Sequence, residues 1–331
     1  MPTEYGSRLY KDNQPNSDAS IVEIVRMAGA LIMGKLARFA INGGTKILLG
    51  KTTTTEFTVL NSGPDTTNPH DPNRTPGGSS AGSAAAVADF QVPLSFGTQT
   101  GGSVIRPASY TGTFAMKPTF NKITGGGIKV ASLEFDTIGY FARSIEDLEL
   151  INDVLSIPTR KSIRETVLRE SKVGLVKSPF WSRAGRGTKS AMEKAAEILS
   201  NNGVTVEDVE FPDEFNDATA LRNMFQVIFV TEAGASFYKD YLLDSTKKKL
   251  DPDVCAFVEN ATTYKRNEVR QAFDLYAALR PVLDSIAAKY SALMAPSATD
   301  EAPLGLGDMG SAIFNSVWTV RLTVLFDFAN D

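Results

Sequence analysis

Thr75-Pro-Gly-Gly-Ser-Ser-Ala-Gly-Ser83 and Gly97-Thr-Gln-Thr-Gly-Gly-Ser103-Val-Ile-Arg-Pro107 are the two stretches whose reading decides this sequence. Between them lie an alanine-dominated run, Ser80 to Phe90, and a short strand-like run, Pro93 to Phe96. The small side chains of the first predict a tightly packed helix. Glycine lets the backbone take positive φ and approach a ligand closely. Consecutive N–H groups in such a turn can line an anion-binding concavity. A serine ending that turn can attack a carbonyl while neighbouring N–H groups hold the oxyanion, at about 3–4 kcal/mol per donor. Taken alone, either turn reads as an ordinary Gly/Ser loop.

Outward from these turns, strands and helices alternate. A helix is predicted over 18–33, capped by Asp18, with Ser20 and Glu23 at capping-box spacing and Ile21, Ile24, Val25 and Ala28 on one apolar face. Residues 61–78 read as a loop rich in Asn, Pro, Thr and Gly. Thr113 to Lys117, Val173 to Val176, Val204 to Val209 and Ala292 to Ala295 read as strands. Helices are predicted from Ser144, as cap, to Leu155, and near 187–201, 214–242 and 264–289. This alternation indicates an α/β fold in one domain over 1–331. One echo interrupts it: Leu31-Ile-Met-Gly-Lys35 recurs as Ile47-Leu-Leu-Gly-Lys51, 16 residues later.

Composition excludes several functions. Hydrophobic residues make up 42% and charged residues 22%, the balance of a soluble globular protein. A net charge of −4, with no basic run beyond Lys247-Lys248-Lys249, argues against a nucleic-acid surface. No apolar stretch approaches the ~20 residues that span a bilayer. No secretory signal is visible, and a single cysteine, Cys255, precludes an internal disulfide and leaves the cytoplasm as the expected compartment. No cofactor is expected.

The single histidine, His70, removes most zinc sites and nearly all Ser-His-Asp triads, so serine chemistry here points to a lysine base. Gly78-Ser-Ser80-Ala-Gly82 has the spacing of a nucleophile elbow, but His70 precedes it where that fold needs a later histidine. Gly29 to Lys35 nearly matches a phosphate-binding loop, except that Leu36 replaces the required Ser/Thr. Ser236-Phe-Tyr-Lys239 falls within a long helical pattern and reads as surface, as does His70 in its polar loop.

Taken together, and in order, the turns resemble the amidase signature family. Gly77 to Ser83, Gly97 to Ser103 and Lys117-Pro118-Thr119 match its pattern, and the two serines Ser79 and Ser103 stand 24 residues apart, as the family's do. Leu133 to Gly139 and Ala142 to Leu148 also look like family segments. The resemblance implies a mixed, twisted β-sheet covered by helices on both faces, and a hydrolase that cleaves the amide bond of a small substrate. Ser103 would be the nucleophile and form an acyl-enzyme. Ser79, on a cis peptide, would relay its proton towards a neutral lysine. Backbone N–H groups of Thr100, Gly101, Gly102 and Ser103 would form the oxyanion hole. The two hydroxyls are expected within hydrogen-bond reach, ~2.6–3.2 Å.

The sequence departs from the family in places. Ala81 replaces a glycine, and Arg106 falls three rather than two residues after the nucleophile. The family's catalytic lysine stands in a Lys-Asp-Asn segment upstream of the stretch that Pro2 to Ser7 matches, so the domain reads as truncated. Tyr10-Lys11-Asp-Asn13 imitates that segment but lies on the wrong side of Gly6-Ser7. Residues 36–51 read as an insertion, forming a surface excursion or a disordered segment rather than part of the core, and 320–331 as a tail foreign to the family. The alternative to an active amidase is a catalytically inactive remnant with a binding role or none. Without the lysine segment the chain is expected to turn over little amide.

Overall fold

The computed structural model describes residues 2–32, 48–49, 52–59, 65–157, 167–321 and 325–327. In chain order the elements are α1 (Ser20–Met27), β1 (Leu31–Ile32), β2 (Leu48–Leu49), α2 (Ala81–Ala88), β3 (Leu94–Gln99), α3 (Ile105–Thr111), β4 (Phe114–Lys117), β5 (Thr137–Ala142) and α4 (Ile145–Val154). They continue with β6 (Lys172–Leu175), α5 (Arg186–Asn201), β7 (Thr205–Asp208), α6 (Ala218–Leu243), α7 (Pro252–Ala261), α8 (Arg266–Ala287), β8 (Ala292–Met294), α9 (Ile313–Arg321) and β9 (Leu325–Asp327).

Among the described residues the larger strands fall into two hydrogen-bonded groups. Four antiparallel strands run in the order β3-β5-β4-β9, and three parallel strands run β7-β6-β8. Helices cover both faces of the antiparallel group. Met116, Ile138, Tyr140, Ala142 and Leu94 pack with α1 and α4 on one face. Ala115 and Phe141 pack with Ala84, Val87, Val104, Ile105 and Ala108 of the α2–α3 layer on the other. The alternation along each strand separates these two sets, as the period of two requires. Long helices α6 and α8 and the segment around Phe314 enclose a third, aromatic-rich core.

Ser144 caps α4 as the sequence indicated, accepting from the Asp147 N–H at 3.1 Å. The first helix is shorter than the predicted 18–33. It is entered through Ala19 with no side-chain cap, while Asp18 pairs with Arg26 instead. It ends because Gly29 adopts φ +93, letting the Ala30 N–H turn back to Val25 O. Sequence periodicity did not identify β5, α3, α7, α9 or β9. β5 is buried at all six positions, so no alternation marks it.

The echoed segments meet in part, since β1 pairs parallel with β2, Leu31 opposite Leu48. Residues 33–47, most of the expected excursion, lie outside the described residues. Within the tail, β9 pairs with β4, Phe326 opposite Met116. Among the described residues, no helix is long and apolar enough to cross a membrane.

Candidate active site

The turn after β3 is held by side chains that occupy the N–H groups on its far side. Gln99, fully buried, accepts from Val104 N at 2.8 Å and Ile105 N at 2.9 Å through Oε1. Arg106 N donates to Gly102 O at 2.9 Å, opening α3. Among the described residues, the N–H groups of Thr100, Gly101, Gly102 and Ser103 have no protein acceptor. Thr100 is fixed twice. Its Oγ1 donates to Asp136 Oδ1, and its carbonyl accepts from Thr319 Oγ1 at 3.0 Å. Asp136 in turn accepts from Ala131 N and Ser132 N, while burial pushes its carboxyl above the usual range. A Cβ at Gly102 would lie 2.9 Å from that of Ala312, so this position has no room for a side chain.

The second turn approaches the first from α2. Gly77 takes φ +80 and lies against Pro107, and the Gly78–Ser79 peptide is cis. Ser79 is fully buried, and its Oγ has no hydrogen-bond partner among the described residues. The expected direct bond between the Ser79 and Ser103 hydroxyls is therefore not formed. The two turns are tied through backbone instead, Ser80 N donating to Ser103 O at 3.4 Å. α2 lies close on the sheet because its residues are small. A Cβ at Gly97 would sit 2.4 Å from Ser80 Oγ, and Ser83 Oγ donates to Phe96 O at 2.8 Å.

Two buried cations flank the turns, and the sequence indicated a role for neither. Arg106 donates through one terminal nitrogen to Gly78 O at 2.6 Å and through the other to Gly310 O at 2.5 Å. Burial brings its pKa down to about 10, which leaves it charged at neutral pH. Lys117 ends β4 with its ammonium donating to Pro118 O at 2.9 Å and, among the described residues, no carboxylate partner. Burial lowers its pKa to about 7. With Met116 opposite Tyr140, the next rung sets Lys117 level with Gly139, itself opposite Gly97. Lys117 thus stands in the row that faces α2 and α3. The signal available in sequence was a lysine closing the apolar run Phe-Ala-Met-Lys.

The other candidates stand apart. Lys11 is exposed. Ser236 and Lys239 lie on α6, half-buried and exposed, and Cys255 is half-buried in the packing around Phe237. His70 is exposed, with Nε2 against Thr111 O at 2.9 Å. Among the described residues no group of His, Cys, Asp and Glu is placed to hold a metal. A cavity of about 1200 Å³, lined by Ile105, Met192, Leu293 and Trp318 among others, is not lined by either serine. It borders the site through Ile105, which follows the nucleophile turn, and through Asn315, whose Cβ would lie 3.2 Å from a Cβ added at Gly102.

A glutamyl-tRNA(Gln) amidotransferase subunit from Symbiobacterium thermophilum is 32% identical over 251 residues, covering 71% of this chain and 48% of that protein. The Thermus thermophilus protein of the same name is 34% identical over 226 residues, 64% of this chain and 45% of its own length. The chain thus spans about half the length of these relatives. The solved structure of their Thermotoga maritima namesake superposes with a TM-score of 0.75 at 21% identity, over 97% of this chain and 71% of that one. That of 6-aminohexanoate cyclic dimer hydrolase gives 0.79 at 22%, over 99% and 74%. The Amidase family model matches residues 1–329, a span that includes 36–51 and all but the last two residues. The chain belongs to the Amidase family.

Proposed function

We propose that this chain hydrolyses the carbon–nitrogen bond of a small amide through an acyl-enzyme on Ser103. The observation that carries the reading is the set of N–H groups at Thr100 to Ser103, which have no protein acceptor among the described residues while those of Val104, Ile105 and Arg106 are all engaged. Preorganised donors of this kind stabilise the oxyanion of a tetrahedral intermediate. Ser103 Oγ bonds to the substrate carbonyl carbon and gives its proton to Ser79 Oγ. In the same movement Ser79 passes its own proton on to the substrate nitrogen, so that neither serine carries two protons, and the C–N bond then breaks as the amine leaves. Water then attacks the acyl group, and the same relay returns a proton to Ser103. The Ser79 hydroxyl, buried and without another hydrogen bond among the described residues, is available for both transfers. A single cysteine suits a reducing, cytoplasmic compartment.

The test is active-site labelling with a fluorophosphonate, followed by hydrolysis of a panel of small aryl and alkyl amides. Labelling is expected at Ser103 alone and is expected to vanish in Ser103→Ala. Labelling that persists in that variant refutes the assignment.

A further inference from the structure

Ser79 presents a positioning problem. A hydroxyl with no hydrogen-bond partner has its direction set only by the backbone that carries it, here the peptide units on either side. The carbonyl of Ser79 accepts from Thr54 Oγ1 at 3.0 Å. The carbonyl before it, Gly78 O, accepts from the Arg106 guanidinium at 2.6 Å. Met309 closes the seat beside that guanidinium: a Cβ at Gly78 would lie 2.3 Å from its sulfur, which is itself 4.0 Å from the Arg106 nitrogen bound to Gly78 O.

We propose that Arg106 is a positioning residue for the proton relay, fixing the Gly78–Ser79 peptide relative to the Ser103 turn. Arg106 lies in the first turn of α3, three residues after Ser103, so its own backbone moves with the nucleophile. Its planar fork spans two carbonyls at once, Gly78 O and Gly310 O, and a rigid fork transmits position better than a flexible ammonium. Arg106 is 3% exposed and forms no ion pair among the described residues, the Asp308 carboxylate acting on it only at longer range. Burying an unpaired cation is costly, and packing alone would be served by an apolar side chain. A residue in this place acts through Ser79.

This inference rests on Ser103 and Ser79 acting as proposed above, and the experiment separates the two. Fluorophosphonate labelling rates are measured for the unaltered chain, Arg106→Lys and Arg106→Ala, with melting curves for each, and Arg106→Ala is repeated with added guanidinium chloride at low millimolar concentration. Misplacement of a reacting group by about 1 Å can cost on the order of 100-fold, so a loss of that size is expected in Arg106→Ala. Added guanidinium should restore part of the rate, and Arg106→Lys, which reaches one carbonyl, should fall between. Where amide turnover is measurable, the loss should lie in kcat with KM little changed. Should Arg106→Ala fail to fold, Arg106→Lys retains the buried cation and must still label slowly. A folded variant labelling at the original rate, or a loss confined to KM for carboxylate-bearing substrates, overturns the inference. Absence of labelling in the unaltered chain instead overturns the nucleophile assignment on which it rests.

Discussion

Gln99 Oε1 accepts the backbone N–H of Val104 at 2.8 Å, and the same oxygen takes the next N–H, that of Ile105. One side chain at the end of β3 thereby shapes the whole nucleophile turn. Replacing it with Gln99→Leu leaves two buried donors without acceptors, each costing about 1–3 kcal/mol. Denaturant melts should show that loss, and Ser103 labelling should slow because the freed turn no longer aims its N–H groups inward. Gln99→Glu keeps the acceptor and should retain most of the labelling rate.

Lys117 predicts a pH dependence. Its folded pKa of about 7 lies below the ordinary 10.5. Between those values the unfolded chain carries a proton that the folded chain does not. Stability from this group therefore rises with pH across that window, by at most about 1.4 kcal/mol per unit, and the full burial penalty is present below pH 7. Lys117→Met should be more stable than the unaltered chain at pH 6–7, with the difference shrinking towards pH 10. Urea midpoints at four pH values give the comparison, and a pH-independent difference would show that the amine is not the cause.

Removing the Lys129 ammonium should instead destabilise the fold. Its ammonium lies 2.6 Å from buried Asp240 Oδ2 and within 6 Å of the ring centres of Tyr5, Tyr10, Phe57 and Phe237. Tyr10 donates to the other oxygen of Asp240. This cluster ties the N-terminal segment to α6. Lys129→Met strands the carboxylate, at about 3–5 kcal/mol. The double variant Lys129→Met with Asp240→Leu should recover part of that loss in the same melts.

Gly78→Ala tests the close approach in the seat under Ser79. The added methyl would meet Met309 Sδ at 2.3 Å. Overpacking of this kind costs about 1–3 kcal/mol. Met309→Ala combined with it should restore stability more fully than Met309→Ala alone would predict from additivity, which a double-mutant cycle measures.

Lys11→Ala should leave Ser103 labelling unchanged, since that side chain is exposed on the N-terminal turn. A large loss of labelling in this variant would make Lys11 the base.

The amino-acid sequence by itself determined the chemistry-bearing turns, because glycine and serine at Gly77–Ser83 and Gly97–Ser103 restrict what backbone and nucleophile can do locally. Amphipathic period and a capping serine likewise made α4, α6 and α8 legible, since helix signals are local in the chain. Strand β5 was not legible, because burial on both faces erases the alternation that marks a strand. The two buried cations were decided only in three dimensions. Nothing near Arg106 in sequence shows that Gly78 and Gly310, 28 and 204 residues away, bring their carbonyls to its guanidinium. The environment of Lys117 is likewise set by the helices packed over β4 and β5, and desolvation depends on that enclosure rather than on sequence neighbours.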